Sequence, residues 1–314
     1  MTYATYLENS KEENFCVSPI SVYMALALAI EISNGNTREE ILKAVGVTYE
    51  EVLQFTSYLY AFANETIYST ENPEEVAAMK ELHNSLWVEE HALLLDTGVN
   101  SLANQYHCDL YRVPFQTNLA AAEKEFNDYI NKKTHGLIKG GIKTSVDTRM
   151  ILLNTFYLKD VWDDEGNDLL LTDDTYEFTN GDQSKVLSKL LVGNYFEGQV
   201  HTEDTFSTFY TSTKNNVRIK FILPNNGYTI DQILKEETLN RVNQITDYHF
   251  VAQGKKEIHY TRVLFPEFEA SYDDSIQKIL ADSFKIIDLF TGDCDASNIT
   301  DEDVYCGDVI HKCK

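Results

Sequence analysis

Apolar residues in the first half of the chain recur mainly at intervals of three and four, the spacing typical of helices. The pattern predicts helices over 19–33, 38–45, 50–64, 73–83, 97–106 and 119–134, and short strands over 84–88 and 110–115. The first helix is apolar nearly all round, so we expect it to be buried. Ser18 and Pro19 mark its start, because serine caps helices and proline fits the first helical position.

The second half of the chain changes to short runs of β-branched and aromatic residues, which favour strands. Strands are predicted over 186–191, 205–210, 217–223, 257–264 and 304–314, with helical segments over 230–245 and 276–280. The strict alternation of strand and helix that is typical of a parallel α/β sheet is missing. We therefore expect one α+β domain over residues 1–314, with a mostly antiparallel main sheet.

The most apolar strand pattern lies between Met150 and Leu158, and it predicts a strand buried on both faces in the middle of a sheet. Asn154 interrupts this pattern. It shares a strand face with Leu152 and Phe156, because side chains two residues apart point the same way. A buried amide left without hydrogen-bond partners costs about 1–3 kcal/mol. We therefore expect Asn154 to be hydrogen-bonded.

Three further polar residues occupy positions where apolar ones are expected. Ser18 and Ser21 lie one turn apart at the start of the buried helix, so they face the same way. His311 lies in the last predicted strand. From the residues alone, each is a core group with its own hydrogen-bond partners, as buried polar groups normally are. A joint role for them stays open at this point.

The charge balance bears on the choice of partners. The chain has 26 Lys and Arg residues against 50 Asp and Glu residues, a formal net charge of −24. Such an acidic surface repels nucleic acid and anionic membrane, so we expect neither as a partner. No apolar run approaches the roughly 20 residues needed to span a bilayer, and the first residues lack the features of a signal peptide.

The five cysteines are odd in number and irregular in spacing, which predicts free thiols and favours a reducing, cytoplasmic compartment. An extracellular location stays open, because a signal peptide could have been removed. Cys306, His311 and Cys313 are candidates for metal ligands. On a strand, however, the first would face away from the other two, so we expect neither a metal site nor a cofactor. No sequence motif of a nucleophile elbow, P-loop, dinucleotide site or metalloprotease occurs, which disfavours an enzyme.

Several collinear stretches resemble one family. They are 14–21 (NFCVSPIS), 126–138 (FNDYINKKTHGLI), 148–162 (TRMILLNTFYLKDVW), 265–268 (FPEF) and 309–312 (VIHK). Together they resemble the serpins over almost the whole chain. The resemblance implies three sheets with surrounding helices, the largest sheet being able to accept an extra strand.

The same resemblance implies a function for the complete protein, the inhibition of a serine or cysteine protease. In inhibitory serpins the protease cleaves an exposed loop, which then inserts into the main sheet and carries the acylated protease with it. The alternative is a non-inhibitory serpin that acts as a binding or chaperone-type protein.

The resemblance also assigns roles to residues. Ser18, Ser21, Asn154 and His311 would form the shutter, where the main sheet opens, and Trp162 would stand at the breach, where insertion begins. If the neutral ring of His311 bonds Asn154, protonation at about pH 6 would weaken that bond.

Some features depart from the family pattern. Asp160 stands where a glycine is usual, and Lys314 is followed in the family by the hinge and the reactive loop. We therefore expect a truncated chain that inhibits nothing by itself, with apolar surface exposed and sheet edges unpaired. The stretch over 71–81, which resembles the cofactor helix of the family, is acidic apart from Lys80, so we expect heparin not to bind.

Overall fold

The computed structural model describes Asn14 and residues 16–162, 170–180, 183–196, 200–215, 217–245 and 260–314. Its helices are α1 (Pro19–Ile32), α2 (Gly35–Val45), α3 (Tyr49–Phe62), α4 (Asp96–Tyr106), α5 (Leu119–Lys133), α6 (Ile230–Ile233), α7 (Glu236–Gln244) and α8 (Gln277–Asp282), with a 3₁₀ turn at Asp288–Phe290. The first three helices and α4 and α5 lie where the sequence predicts them. Within the described ranges, no helix is both long enough and apolar enough to cross a membrane.

The strands are β1 (Glu65–Tyr68), β2 (Val76–Glu89), β3 (Cys108–Val113), β4 (Met150–Lys159), β5 (Leu170–Leu171), β6 (Tyr176–Thr179), β7 (Lys185–Ser188), β8 (Leu190–Phe196), β9 (Val200–Thr202), β10 (Phe206–Ser212), β11 (Arg218–Pro224), β12 (Tyr260–Pro266), β13 (Tyr272–Ser275) and β14 (Ile310–Cys313). The helices and these mainly antiparallel strands confirm the α+β class. The first part of the predicted strand over 257–264 lies outside the described residues. The chain forms two compact units, residues 16–159 with 270–314 and residues 160–269. The single domain expected from the sequence stays a prediction.

Strand β2 organises the main sheet of the first unit. It pairs with β4 along one edge, and with β1 and then β3 along the other. All of these pairings are antiparallel except that of β2 with β3. The helix predicted over 73–83 is therefore wrong, because most of it belongs to β2. Burial alternates along this strand at Ala78, Lys80 and Leu82, and this period of two outweighs the helical preference of the individual residues.

Both faces of β4 are covered by helices. Met150 and Leu152 pack into the core around α1, while Ile151 and Leu153 pack into a second cluster with Phe126 of α5. Among the described strands, however, β4 pairs with β2 alone.

The exposure of β4 follows from this one-sided pairing. Most of its side chains are half-buried, and Leu158 is 41% exposed. The prediction of a fully buried strand in the middle of a sheet is therefore wrong in one respect. The two faces are covered, but one edge has no partner among the strands that the structure describes.

The end of the chain forms a two-stranded antiparallel sheet. β14 pairs with β13, so that Asp274 lies opposite His311 and Tyr272 opposite Cys313. The strand predicted over 304–314 is thus shorter, and begins only at Ile310. Tyr272, Val309 and Cys313 join the α1 core, so this small sheet and β4 share one apolar cluster.

The second unit consists mainly of small antiparallel sheets. One contains β9, β10 and β11, another β5, β8 and β12, and β6 pairs with β7. Phe206, Ile222, Ile233 and Val242 form its local core, which holds α6 and α7 against β10 and β11. The helix predicted over 230–245 is broken in two between these helices.

Helix α4 packs closely against the backbone near Asn298, and this contact can be tested through its effect on stability. A Cβ atom on Gly98 would lie 2.1 Å from the carbonyl oxygen of Asn298, and the Leu95 N–H donates to the Ile299 carbonyl at 2.8 Å. We expect Gly98→Ala to lower the free energy of unfolding by about 1–3 kcal/mol, because the backbone must move apart. Gly307→Ala, which meets nothing within 4 Å, should change it by less than about 0.5 kcal/mol. Urea unfolding measures both, and equal effects would contradict this packing.

Candidate functional site

The first turn of α1 is capped by its own serine residues. Ser18 is the N-cap residue, and its Oγ accepts a hydrogen bond from the Ser21 N–H at 3.3 Å. The Ser18 hydroxyl also donates to Ser21 Oγ at 3.1 Å. The first of these bonds satisfies a backbone N–H that a helix start leaves free. The cap predicted from the sequence is confirmed.

A third bond ties this cap to β14. The backbone N–H of Ser18 donates to Nε2 of His311 at 3.0 Å, across 293 positions of sequence. A backbone N–H can only donate, so Nε2 must be unprotonated. The neutral ring of His311 therefore carries its proton on Nδ1. The result is a direct link between the start of α1 and the strand that contains His311.

The surroundings of His311 keep it neutral. Its side chain is buried, and burial lowers the pKa of His311 to about 4. The partial positive charge at the start of α1 acts in the same direction, since it disfavours a second positive charge nearby. The ring of Tyr272 lies 5.9 Å away, and Asp274 is the register partner on β13. At neutral pH the bond to Ser18 is thus fully formed.

Asn154 is bonded within the main sheet and not to His311. Its Nδ2 donates to Oδ1 of Asn84 at 2.9 Å, and Nδ2 of Asn84 donates to the carbonyl of Tyr106 at 2.7 Å. Asn84 is the register partner of Asn154, so the two amides join β4 to β2 and then to the end of α4. The bond considered between His311 and Asn154 is replaced by these contacts. Oδ1 of Asn154 is buried and has no hydrogen-bond partner among the described residues.

Asn84 is a site residue that the local sequence pattern does not indicate. The pattern puts it at the first position of a short strand, after a predicted helix that the structure largely replaces by β2. The alternation of Lys80, Leu82, Asn84 and Leu86 on one face of β2 was the available signal. The pairing with Asn154 depends on the register of two strands about 70 residues apart, which no local pattern reveals.

Two strand edges border the α1 core. Among the described residues β4 pairs with β2 alone, and β14 pairs with β13 alone. Helix α1 packs against β4, and its cap binds β14 through His311. In the part of the chain that the structure describes, each strand therefore has one edge without a strand partner next to the same buried helix.

Trp162 lies in the second unit. It forms an isolated antiparallel bridge with Thr213, and its ring contacts Phe265 at a centroid distance of 6.3 Å. Next to it, Oδ2 of Asp160 accepts from the Thr213 hydroxyl at 2.6 Å, and Oδ1 accepts from the Val161 N–H at 2.8 Å. Asp160 thus fixes the backbone before Trp162, at the position where the resembling family has a glycine.

The remaining polar candidates do not assemble into a metal centre. In the described ranges, no group of three or more His, Cys, Asp or Glu side chains is arranged to hold a metal ion. Cys306 precedes β14, and its thiol donates to the Asp308 carbonyl at 3.1 Å. All five cysteines are free thiols.

Comparison with known proteins identifies the family. A family profile described as "Serpin (serine protease inhibitor)" matches residues 1–314. The chain belongs to the serpin family. Alpha-1-antiproteinase of Bos taurus is 24% identical over 305 aligned residues, which cover 96% of this chain and 69% of that relative.

Solved serpin structures confirm the fold. The structure of cleaved kallistatin complexed with heparin matches with a TM-score of 0.81 at 20% identity, over 99% of this chain and 89% of that one. The complex of thyroxine-binding globulin with thyroxine matches with a TM-score of 0.75 at 18% identity, over 99% and 81%. At these identities the likeness shows the fold alone.

The stretch over 71–81, which resembles the cofactor helix of the family in sequence, is not a helix in the structure. From Val76 onward it belongs to β2. Its acidic side chains therefore carry no argument about a cofactor helix.

The neutral state of His311 predicts how stability depends on pH. Because its pKa is about 4 in the folded protein and about 6.5 in the unfolded chain, its contribution is fully present above pH 6.5 and is lost as the pH falls towards 4. The loss is at most about 3.5 kcal/mol, at about 1.4 kcal/mol per pKa unit. We expect the free energy of unfolding of His311→Gln to depend less on pH in this window than that of the wild type.

Urea unfolding at closely spaced pH values measures this difference. His91→Gln is the matched control, since the His91 side chain is 81% exposed. Its difference from the wild type should stay constant with pH. Identical pH profiles for the wild type and His311→Gln would contradict the assignment.

Proposed function

We propose that the complete protein inhibits a serine or cysteine endopeptidase by inserting a cleaved reactive loop beside β4. The observation that carries this proposal is the edge of β4 that has no partner among the described strands and lies next to a buried helix, in a chain of the serpin family. The loop would come from residues that follow β14. The matching family is described as serine protease inhibitors, and we propose no catalytic activity for this chain.

The open edge suits an incoming strand. An extended segment beside β4 would pair with its free N–H and C=O groups, and pairing of this kind supplies most of the affinity in strand addition. The unpartnered Oδ1 of Asn154 offers it a further acceptor. The helices on both faces of β4 would bury alternate side chains of the new strand.

The polar residues then have distinct proposed roles. We assign Ser18, Ser21, Asn154 and His311 to the shutter, where the sheet parts. The Ser18–His311 bond would fix β14 on α1, while Asn154 would hold β4 on β2 through Asn84. Trp162 is assigned to the breach by family resemblance.

The alternative is a non-inhibitory serpin that binds another molecule. It is supported by the likeness to thyroxine-binding globulin, a structural neighbour seen with thyroxine. The hinge before the reactive loop distinguishes the two, because small residues permit insertion and bulky or charged ones resist it.

The proposed partner is a protease alone. The net charge of −24 opposes binding of nucleic acid and anionic membrane, and it also opposes heparin. Heparin is bound in the kallistatin structure, but that fact concerns kallistatin.

A synthetic peptide tests the open edge. A 14-residue peptide rich in Ala, Thr and Ser should bind one to one and raise the melting temperature as its concentration rises, because it binds only the folded chain. A control peptide with proline at every second position lacks the ladder donors and should have no effect. Equal shifts with both peptides, or no shift with either, would contradict insertion beside β4.

A protease panel then separates inhibition from binding. The panel contains serine and cysteine proteases. The complete protein should form a complex that survives denaturation. If peptide binding succeeds while the complete protein is cleaved without forming such a complex, the non-inhibitory alternative holds.

A further inference from the structure

Two thiols flank the link between α1 and β14. Cys16 lies two residues before Ser18, and Cys313 lies two residues after His311. The two segments are in contact at their centre, where the Ser18 N–H reaches His311 Nε2 at 3.0 Å. A bond between the thiols would therefore join the same two elements covalently.

The contacts place the two thiols side by side. The Cys16 thiol donates to the carbonyl of Ala270 at 3.5 Å. Ala270 lies two residues before Tyr272, which is the register partner of Cys313. The Cys313 thiol interacts directly with that of Cys16, and burial together with this neighbour raises the pKa of Cys313 to about 12. Both thiols are free and half-buried, within reach of a small reagent.

We propose that Cys16 and Cys313 form a reversible disulfide that locks the start of α1 to β14. The oxidant is a low-molecular-weight disulfide such as oxidised glutathione. The first protein thiolate attacks it, forms a mixed disulfide and releases one glutathione thiolate. The second protein thiolate then displaces the other glutathione. Overall, two protein thiols are oxidised to one disulfide, and one oxidised glutathione is reduced to two molecules of glutathione.

The order of these steps follows from the environment of Cys313. With a pKa of about 12, its thiolate is scarce at neutral pH. We therefore place the first exchange at Cys16 and the ring closure at Cys313. The reaction should be slow at pH 7 and faster at pH 8.5.

The expected consequence is a large gain in thermal stability. The disulfide closes a loop of roughly 300 residues, and the gain grows with loop length. We expect a rise in melting temperature of about 5 °C or more. The inference concerns the link itself and does not depend on protease inhibition.

The chain contains an internal control. Burial raises the pKa of Cys294 and of Cys306 to about 11 each, and Cys294 adds to the rise at Cys306. The Cys306 thiol, however, is engaged with the Asp308 carbonyl at 3.1 Å. Neither thiol takes part in the Ser18–His311 bond, so the loss of this pair should leave the proposed disulfide intact.

The test is oxidation of the full chain with excess oxidised glutathione at pH 8.5. Non-reducing digestion and mass spectrometry should find one peptide that joins Cys16 to Cys313. It should be present in the wild type and in Cys294→Ser, and absent from Cys313→Ser. The rise in melting temperature should follow the same pattern and disappear on addition of dithiothreitol.

Three outcomes would overturn the proposal. The first is glutathione that stays attached to Cys16 in the wild type without a cross-link. The second is Cys313 joined to a different cysteine. The third is a Cys16–Cys313 disulfide that leaves the melting temperature unchanged. Each is seen in the wild-type protein, so the proposal stays testable even if a serine variant fails to fold.

Discussion

The hydrogen bond from the Ser18 backbone to His311 Nε2 is the contact on which the candidate site depends. It connects the buried helix α1 to β14, which pairs with β13 alone among the described strands. The bond requires a neutral imidazole, and the buried position of the ring supplies that state by lowering its pKa. The contact between the start of α1 and β14 therefore depends on the protonation state of His311.

In the main sheet, too, a few specific contacts fix the position of a strand. β4 is fixed on β2 by a long antiparallel register and by the Asn154–Asn84 amide pair, while its other edge is free of partners in the described part of the chain. An edge that is covered on both faces but unpaired differs from the exposed edges that proteins usually protect. The proposed insertion uses this edge. The Ser18–His311 bond joins α1 to β14, and the Asn154–Asn84 pair joins β4 to β2, so these two contacts carry the proposed shutter role.

Local chemistry made part of this site predictable. Ser18 and Pro19 predict a helix start, because capping depends on residues that are neighbours in sequence. The structure confirms this start. Asn154 interrupts an apolar strand pattern, and this position predicts a buried amide that forms hydrogen bonds. The long strand β2 was mistaken for a helix over 73–83, since its residues favour helices and its partners are distant in sequence. For the same reason, the sequence pattern does not indicate that Asn84 of β2 is the partner of Asn154. Roles such as shutter and breach came from family resemblance and remain proposals.

The most direct test of the central contact is a ¹⁵N NMR titration of the His311 ring, with selectively labelled histidine and assignment by His311→Gln. The account predicts a neutral ring at pH 7 that carries its proton on Nδ1, accepts at Nε2, and titrates at about pH 4. A ring protonated on Nε2, or one that titrates at the ordinary value of about 6.5, would contradict it.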